Sequence, residues 1–392
     1  MFDALIRFVR EQYRSDGFIP LHAPVFAGHE RDYVTDTLDS TFVSSVGAYV
    51  DRFERDVAAY TGSPRAVATV NGTAALHIAL QLAGVEPGEL VITQSLTFVA
   101  TCNAIAYCSA EPVFIDVDRH TLGLSPGAME VWLTDNAIVG DDGLCRTRDS
   151  GQVIRACVPM HTFGHPADLD GLMDVCARWK LALVEDAAES LGSFYKGRHT
   201  GTFGALGTLS YNGNKIITTG GGGMILADEV LGARAKHLTT TAKRPHPYEY
   251  VHDELGYNYR LPNLNAALGC AQLEQLEGFI ATKRELAARY AAHLAGSELQ
   301  FFIEPSGCRS NYWLNAVICA DHEQRDALLK ATNDQGVMTR PIWALMNRLP
   351  IYAHCRKGDL SNAEWLEARV VNLPSSVLPD AVLVASLAAA SQ

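Results

Sequence analysis

The chain has 392 residues, 48% of them apolar and 19% charged. This composition excludes a disordered polymer and supplies enough core for one large domain plus a smaller one. The formal net charge of −12 excludes a general nucleic-acid binder, which needs a basic face against phosphates, yet leaves room for an anionic ligand in one positive pocket. Nine cysteines occur without a CxxC pair, several inside apolar runs (Cys102, Cys157, Cys176, Cys319), and are expected as free thiols in a reducing compartment.

The first twenty residues carry charges throughout and have no apolar signal core. No run approaches the roughly 18 apolar residues of a membrane span, so a soluble cytoplasmic protein is expected. Residues before Ala66 read as an arm and helix rather than a domain. Ala66 to Val70 then reads as a strand leading into the helix formers of NGTAALHIALQLAG, which closes on Gly84. Val91-Ile92 precedes a second helical stretch, SLTFVATCNAIAYC, and Pro112 to Val117 reads as a buried strand. The polar stretch Asp141 to Gln152 interrupts the pattern and is expected to be a surface loop. Ala156 to Met160 is another strand; Leu169, Leu172, Met173, Cys176 and Ala177 recur at helical spacing; LALVED is a strand ending in two acids.

Strand, helix and strand in repetition predict an α/β domain with a mostly parallel sheet. Ligands of such sheets gather beyond the C-terminal strand ends, which directs attention to Asn71, Gln94, His161 and Asp186. From Leu261 the texture becomes mostly helical, with no strand until Asn315 to Ile318. The expected division is therefore a large domain over 1–260, including the arm, and a smaller one over 261–392.

Lys215 sits between two apolar segments and is followed by Gly220 to Gly223. Lysine is rarely buried without a partner, and a desolvated lysine is a usable amine for a carbonyl. The same segment also reads as an ordinary hairpin lysine facing water. A nucleotide-phosphate loop is excluded, because Asn214 follows Gly213 and Ile216 follows Lys215. Asp186, at the end of an apolar strand, suits a pyridinium nitrogen, or equally a helix N-cap. Asn71-Gly72-Thr73, where strand gives way to helix, suits a phosphate, or equally simple capping. His161 and His165 are four apart without an acid or cysteine cluster to complete a metal site, so no metal is expected there.

These residues stand in NGTAALHIAL, LTFVAT, PMHTFGHP, LVEDAAES, LSYNGNKIITTGGGGM and GYNYRLPNLNAALG. Together the motifs resemble the DegT/DnrJ/StrS sugar-aminotransferase family of fold-type-I pyridoxal-phosphate enzymes, from about Ile19 to Ser376. The resemblance implies a large domain with a mostly parallel mixed sheet flanked by helices and a smaller α+β C-terminal domain. It implies that Lys215 forms a Schiff base with pyridoxal 5'-phosphate and that Asp186 pairs with the ring nitrogen. Gly72, Thr73 and Ser210 would bind the phosphate, Phe98 would stack on the ring, His161 would lie near the ring edge and Glu189 near the 3'-hydroxyl. Asn258 would reach the phosphate of a neighbouring subunit, making a homodimer with shared sites. Two departures stand out: Glu189 where the family often has Gln, and Gly221 where it commonly has an acid.

The implied reaction moves an amino group, with glutamate as donor, to a nucleotide-linked 4-keto-6-deoxy sugar. The segment PLHAPVFAGHERDYVTDTLDSTFVSSVGAYVDRFE resembles the branch that aminates C4 of 4-keto-6-deoxy-N-acetylglucosamine nucleotides, of the legionaminic-acid and bacillosamine type. Ser44, Ser45, Lys243, Tyr250 and Arg260 are the candidate substrate contacts, and each reads equally as solvated surface. Three rivals are a 3-keto aminotransferase, a non-catalytic cofactor-binding regulator, and a pyridoxamine-dependent dehydratase. The last resembles this chain with histidine in place of Lys215.

Overall fold

Seven of the apolar runs pair into one sheet in a computed structural model that describes residues 2–378; positions 379–392, the end of the expected C-terminal domain, lie outside the described residues. The strands are β1 (Arg65–Thr69), β2 (Leu90–Gln94), β3 (Glu111–Ile115), β4 (Ile154–Val158), β5 (Ala182–Asp186), β6 (Leu206–Ser210) and β7 (Gly223–Ala227). Their order is β1-β7-β6-β5-β4-β2-β3. Strand β7 runs antiparallel to both neighbours and every other pair is parallel. The strands are continuous apolar runs because helices cover both faces.

The two faces follow the period of two along a strand. Val91, Ala156, Val158 and Val184 pack under α1 (Gly72–Leu82) and α2 (Val99–Tyr107), through Ala75, Ile78, Ala79, Ala104 and Ile105. Ile92, Cys157 and Leu183 pack on the other side under Met129, Trp132, Leu133, Val175 and Cys176, which lie in the helices Pro126–Asn136 and Leu169–Trp179.

A second, four-stranded antiparallel sheet is made of Gln300–Phe301, Asn315–Ile318, Val370–Leu373 and Arg340–Pro341, in that order across the sheet. The long helix Asn263–Leu294 serves both units. Near its start, Asn265 donates to the carbonyl of Thr219 at 2.6 Å, whereas Leu286, Tyr290 and Leu294 pack in the core beside the second sheet.

One expectation needs correction. The stretch Asp141 to Gln152 is not all loop: Cys145–Thr147 pairs antiparallel with Ala137–Val139. Cys145 and Thr147 are buried and Arg146 points outward between them, an alternation too short to read among polar neighbours. The N-terminal segment meets both units. Val50, Phe53 and Val57 pack with Ala66, Ala68 and Leu209, whereas Phe2 and, in the helix Asp3–Tyr13, Leu5, Ile6 and Val9 pack with Tyr290, Phe301, Val317 and Leu373, and Ile19 bridges Val337. The apolar spacing in this helix shows that it buries a face, but only the folded chain shows which one it meets. Among the described residues no helix is long and apolar enough to cross a membrane.

Candidate active site

A cleft of about 260 Å³ opens at the C-terminal ends of β1, β5 and β6. At one end β1 passes through Asn71 into α1. Asn71 is extended and its Oδ1 accepts the Ala74 N–H at 2.8 Å, so the capping reading is correct for this side chain. Capping does not exhaust the turn, because the first N–H groups of a helix lack intrahelical partners, and Gly72 and Thr73 line the cleft beside Ser210. The backbones close tightly here: a Cβ on Gly72 would lie 3.0 Å from the Cβ of Ser210, and one on Gly223 only 2.4 Å from the carbonyl oxygen of Asn71. This is a small anion cradle with a helix dipole behind it.

Asp186 closes the other end. Its Oδ2 accepts the Thr101 hydroxyl at 2.7 Å and its Oδ1 the Ala188 N–H at 3.2 Å. Burial raises its carboxyl above the usual carboxylate range, against the opposing pull of Thr101, Ala188 and the Lys215 charge. A carboxylate desolvated in this way favours a cationic or protonated partner.

Between the two ends lies Lys215, on a loop over 211–222 that joins β6 to β7. The base of the loop is closed by the Tyr211 N–H on the Gly222 carbonyl at 2.8 Å. The lysine does not face water: its side chain is 12% exposed and its Nζ is 3.3 Å from Oε1 of Glu189. Glu189 is buried, and its Oε2 accepts the Phe163 N–H at 2.9 Å. Burial raises the Glu189 carboxyl, with the Lys215 charge the largest opposing influence. Phe98 lines the same cleft, 48% exposed.

Gly72, Thr73, Phe98, Asp186, Glu189, Ser210 and Lys215 therefore share one cleft. His161 does not line it. Its Nδ1 accepts the Ala167 N–H at 3.1 Å and its Nε2 lies 3.0 Å from Glu185, so both ring nitrogens are engaged on the far side of β5. Asn258 lies outside the cleft of its own chain, where its Oδ1 accepts from Arg260 Nε at 3.0 Å. The remaining substrate candidates also lie outside it. The carbonyl of Ser44 accepts the Asn263 N–H at 2.6 Å, Ser45 lies on the same segment, and Lys243 rests 4.3 Å over the Tyr250 ring on an exposed hairpin.

Sequence reasoning missed two tryptophans. Trp313 lies under the Lys215 amine, 4.1 Å from ring centroid to Nζ, and Trp343 lies 6.4 Å from the Phe98 ring. Both come from the second unit and line the cleft. The only local signal for either is an aromatic placed just before or after a short strand.

The family model for the DegT/DnrJ/EryC1/StrS aminotransferases matches residues 25–381. The chain belongs to this family. It is 36% identical over 360 residues to a GDP-perosamine synthase of Escherichia coli O157:H7, a match covering 91% of this chain and 93% of the relative. A pleiotropic regulatory protein of Geobacillus stearothermophilus is 31% identical over 345 residues, covering 86% and 87%. Among solved structures, the aminotransferase TlmJ from Streptoalloteichus hindustanus superposes with a TM-score of 0.82 at 28% identity, covering 96% of this chain and 98% of that one. The architecture is that of fold-type-I pyridoxal-phosphate enzymes. Pyridoxal phosphate is the cofactor this cleft fits: a cradle for its phosphate, a carboxylate for its ring nitrogen and an amine for its carbonyl. The relative matched at 36% is named for GDP-perosamine, not for a sugar of the legionaminic-acid or bacillosamine type.

Proposed function

We propose that the protein is a pyridoxal-phosphate-dependent sugar aminotransferase that moves an amino group from glutamate to a nucleotide-linked 4-keto-6-deoxy hexose. One observation carries this reading: Lys215, Asp186 and the Gly72-Thr73-Ser210 cradle line a single cleft. Bound there, the cofactor supplies an electron sink for proton removal at the substrate carbon. Asp186 holds the proton on the ring nitrogen, and the cradle holds the phosphate. Phe98 covers the ring, Glu189 lies beside the ring hydroxyl, and Lys215 Nζ is the covalent attachment point and, when free, the base that moves the proton. Asn258 serves the cradle of a second copy in a homodimer. The name of the Escherichia coli relative makes a GDP-linked acceptor the first to test, ahead of an N-acetylated UDP sugar.

A non-catalytic cofactor-binding regulator is the second reading, favoured by the name of the Geobacillus relative. Absorbance spectra of the protein with pyridoxal phosphate, before and after glutamate and beside Lys215→Ala, separate the two. A yellow band that glutamate shifts, and that the variant lacks in its unreacted form, supports the aminotransferase. A band indifferent to glutamate and to every other amino acid supports the regulator. Turnover with GDP- and UDP-linked 4-keto sugars, with the new amine located by NMR, then tests the acceptor. An amine at C3 overturns the 4-keto assignment.

A further inference from the structure

The Lys215 amine touches two groups of opposite character, the Glu189 carboxylate on one side at 3.3 Å and the face of Trp313 on the other at 4.1 Å. Trp313 is buried. Its indole N–H donates to the carbonyl of Asn214 at 2.7 Å, so the ring beneath the amine is also fastened to the residue preceding the lysine.

The backbone of Trp313 is held from both ends. Its N–H donates to Oδ1 of Asn311 at 2.8 Å, and its carbonyl accepts from Nζ of Lys283 at 3.1 Å. Lys283 is itself wholly buried and also donates to the Ser375 carbonyl. Asn311 donates through Nδ2 to the carbonyls of Glu189 and Leu191, both at 2.9 Å. One buried amide therefore ties the backbone of Trp313 to that of Glu189, the two residues whose side chains face the amine.

Resting on the aminotransferase reading, we propose that Trp313 is a positioning residue that parks the Lys215 amine whenever it is not joined to the cofactor. Lysine carries its amine on a flexible four-carbon stem. In a reaction that releases this amine in one half and needs it back in the other, the amine must stay in reach of the reacting carbon, because small displacements of a catalytic group are costly. An ammonium over an indole face is attracted by the ring quadrupole, and the Glu189 oxygen fixes its direction. The ring arrives from the second unit, so the parking place exists only when that unit is seated against the large one.

The test is chemical labelling of Lys215 in the full-length, glutamate-treated protein, whose lysine is free. Acetic anhydride is the probe, and peptide mass spectrometry reads Lys215 against the exposed Lys180. An amine held against the ring is withheld from the reagent, so removing the aromatic face in Trp313→Leu should speed labelling by on the order of 2- to 30-fold, the range a cation over an aromatic face supplies. Trp313→Phe keeps a face and should stay nearer the wild-type rate. In Trp313→Leu kcat should fall while KM for glutamate holds. Unchanged labelling in a Trp313→Leu protein with a wild-type melting curve overturns the proposal. If that variant does not fold, Trp313→Met decides by the same comparison. Should the wild type not respond to glutamate, the aminotransferase reading fails on its own, and labelling of the cofactor-free protein with and without the ring still tests the contact.

Discussion

Glu185 and Asp186 are consecutive in the chain and face opposite sides of the sheet, Asp186 into the cleft and Glu185 onto the turn over 201–204. Glu185 accepts the N–H groups of Gly201, Phe203 and Gly204 at 2.7, 2.6 and 2.8 Å, as well as His161. Burial works to raise its carboxyl, but His161 and these N–H groups outweigh it and hold the carboxyl below the usual range. Asp186, with fewer donors, is left raised. Adjacent residues of the same charge are thus shifted in opposite directions, on faces separated by the period of two.

This division gives opposite mutant phenotypes. Glu185→Ala strips four buried donors of their acceptor and should cost about 3–5 kcal/mol of stability, read from denaturant unfolding. Asp186→Asn keeps shape and fold, but should slow the single-turnover reaction with glutamate by on the order of 10²–10⁴-fold, the usual weight of a placed proton.

Thr101 bears on the proposed chemistry through its hydrogen bond to Asp186. Its hydroxyl is the largest influence holding the buried carboxyl down, so Thr101→Val should push Asp186 further up and remove a charge-assisted bond of about 1.5–3 kcal/mol. The pH titration of the bound cofactor's absorbance should move upward in this variant, together with a lower melting temperature.

Two glycines near the cradle should respond differently. A Cβ on Gly223 meets the Asn71 backbone at the helix cap, at 2.4 Å, so Gly223→Ala should cost about 1–3 kcal/mol or more and weaken cofactor binding by fluorescence titration. A Cβ on Gly221 meets nothing within 4 Å. Gly221→Glu, which supplies the acid common at this place in the family, should therefore fold normally and still bind the cofactor.

Acid should destabilise the protein in a defined window. Burial lowers His165 to about 3 and His199 to about 4, whereas the unfolded imidazoles titrate near about 6.5. Below that value the unfolded chain binds more protons than the native one, so stability is lost as the pH falls from about 6.5 toward the folded values. Raised Asp186 and Glu189 work in the opposite sense at the acid end. Both His165 nitrogens lack hydrogen-bond partners and the ring packs edge-on against Phe302 and Tyr312. His165→Phe should therefore leave melting at pH 8 nearly unchanged and flatten the decline between pH 6.5 and 4.

Shared sites have their own test. Lys215→Ala and Asn258→Ala proteins, each inactive alone, should recover part of the activity when mixed into heterodimers. No recovery in confirmed heterodimers would remove Asn258 from the neighbouring cradle.

The residues legible from sequence alone share a physical property: each is placed by its own strand end. Asp186, Ser210 and Gly72-Thr73 follow directly from β5, β6 and the turn between β1 and α1, and a strand end can be read from a run of apolar residues. Lys215 was legible as a lysine among buried segments, although the length of its loop was not. His161 also sits at a strand end, but its direction depends on whether a partner waits on that side, and Glu185 does.

The sequence by itself determined the alternation of strands and helices, hence the sheet, its ligand-bearing edge and the motifs of the family, because backbone propensity and apolar periodicity are local. Tertiary structure alone decided what stands opposite those edges. Trp313 reaches Asn214 across 99 positions, and the first helix packs on the last strand of the second sheet. No periodicity encodes such contacts; they follow from which apolar faces remain to be buried once the two sheets have formed.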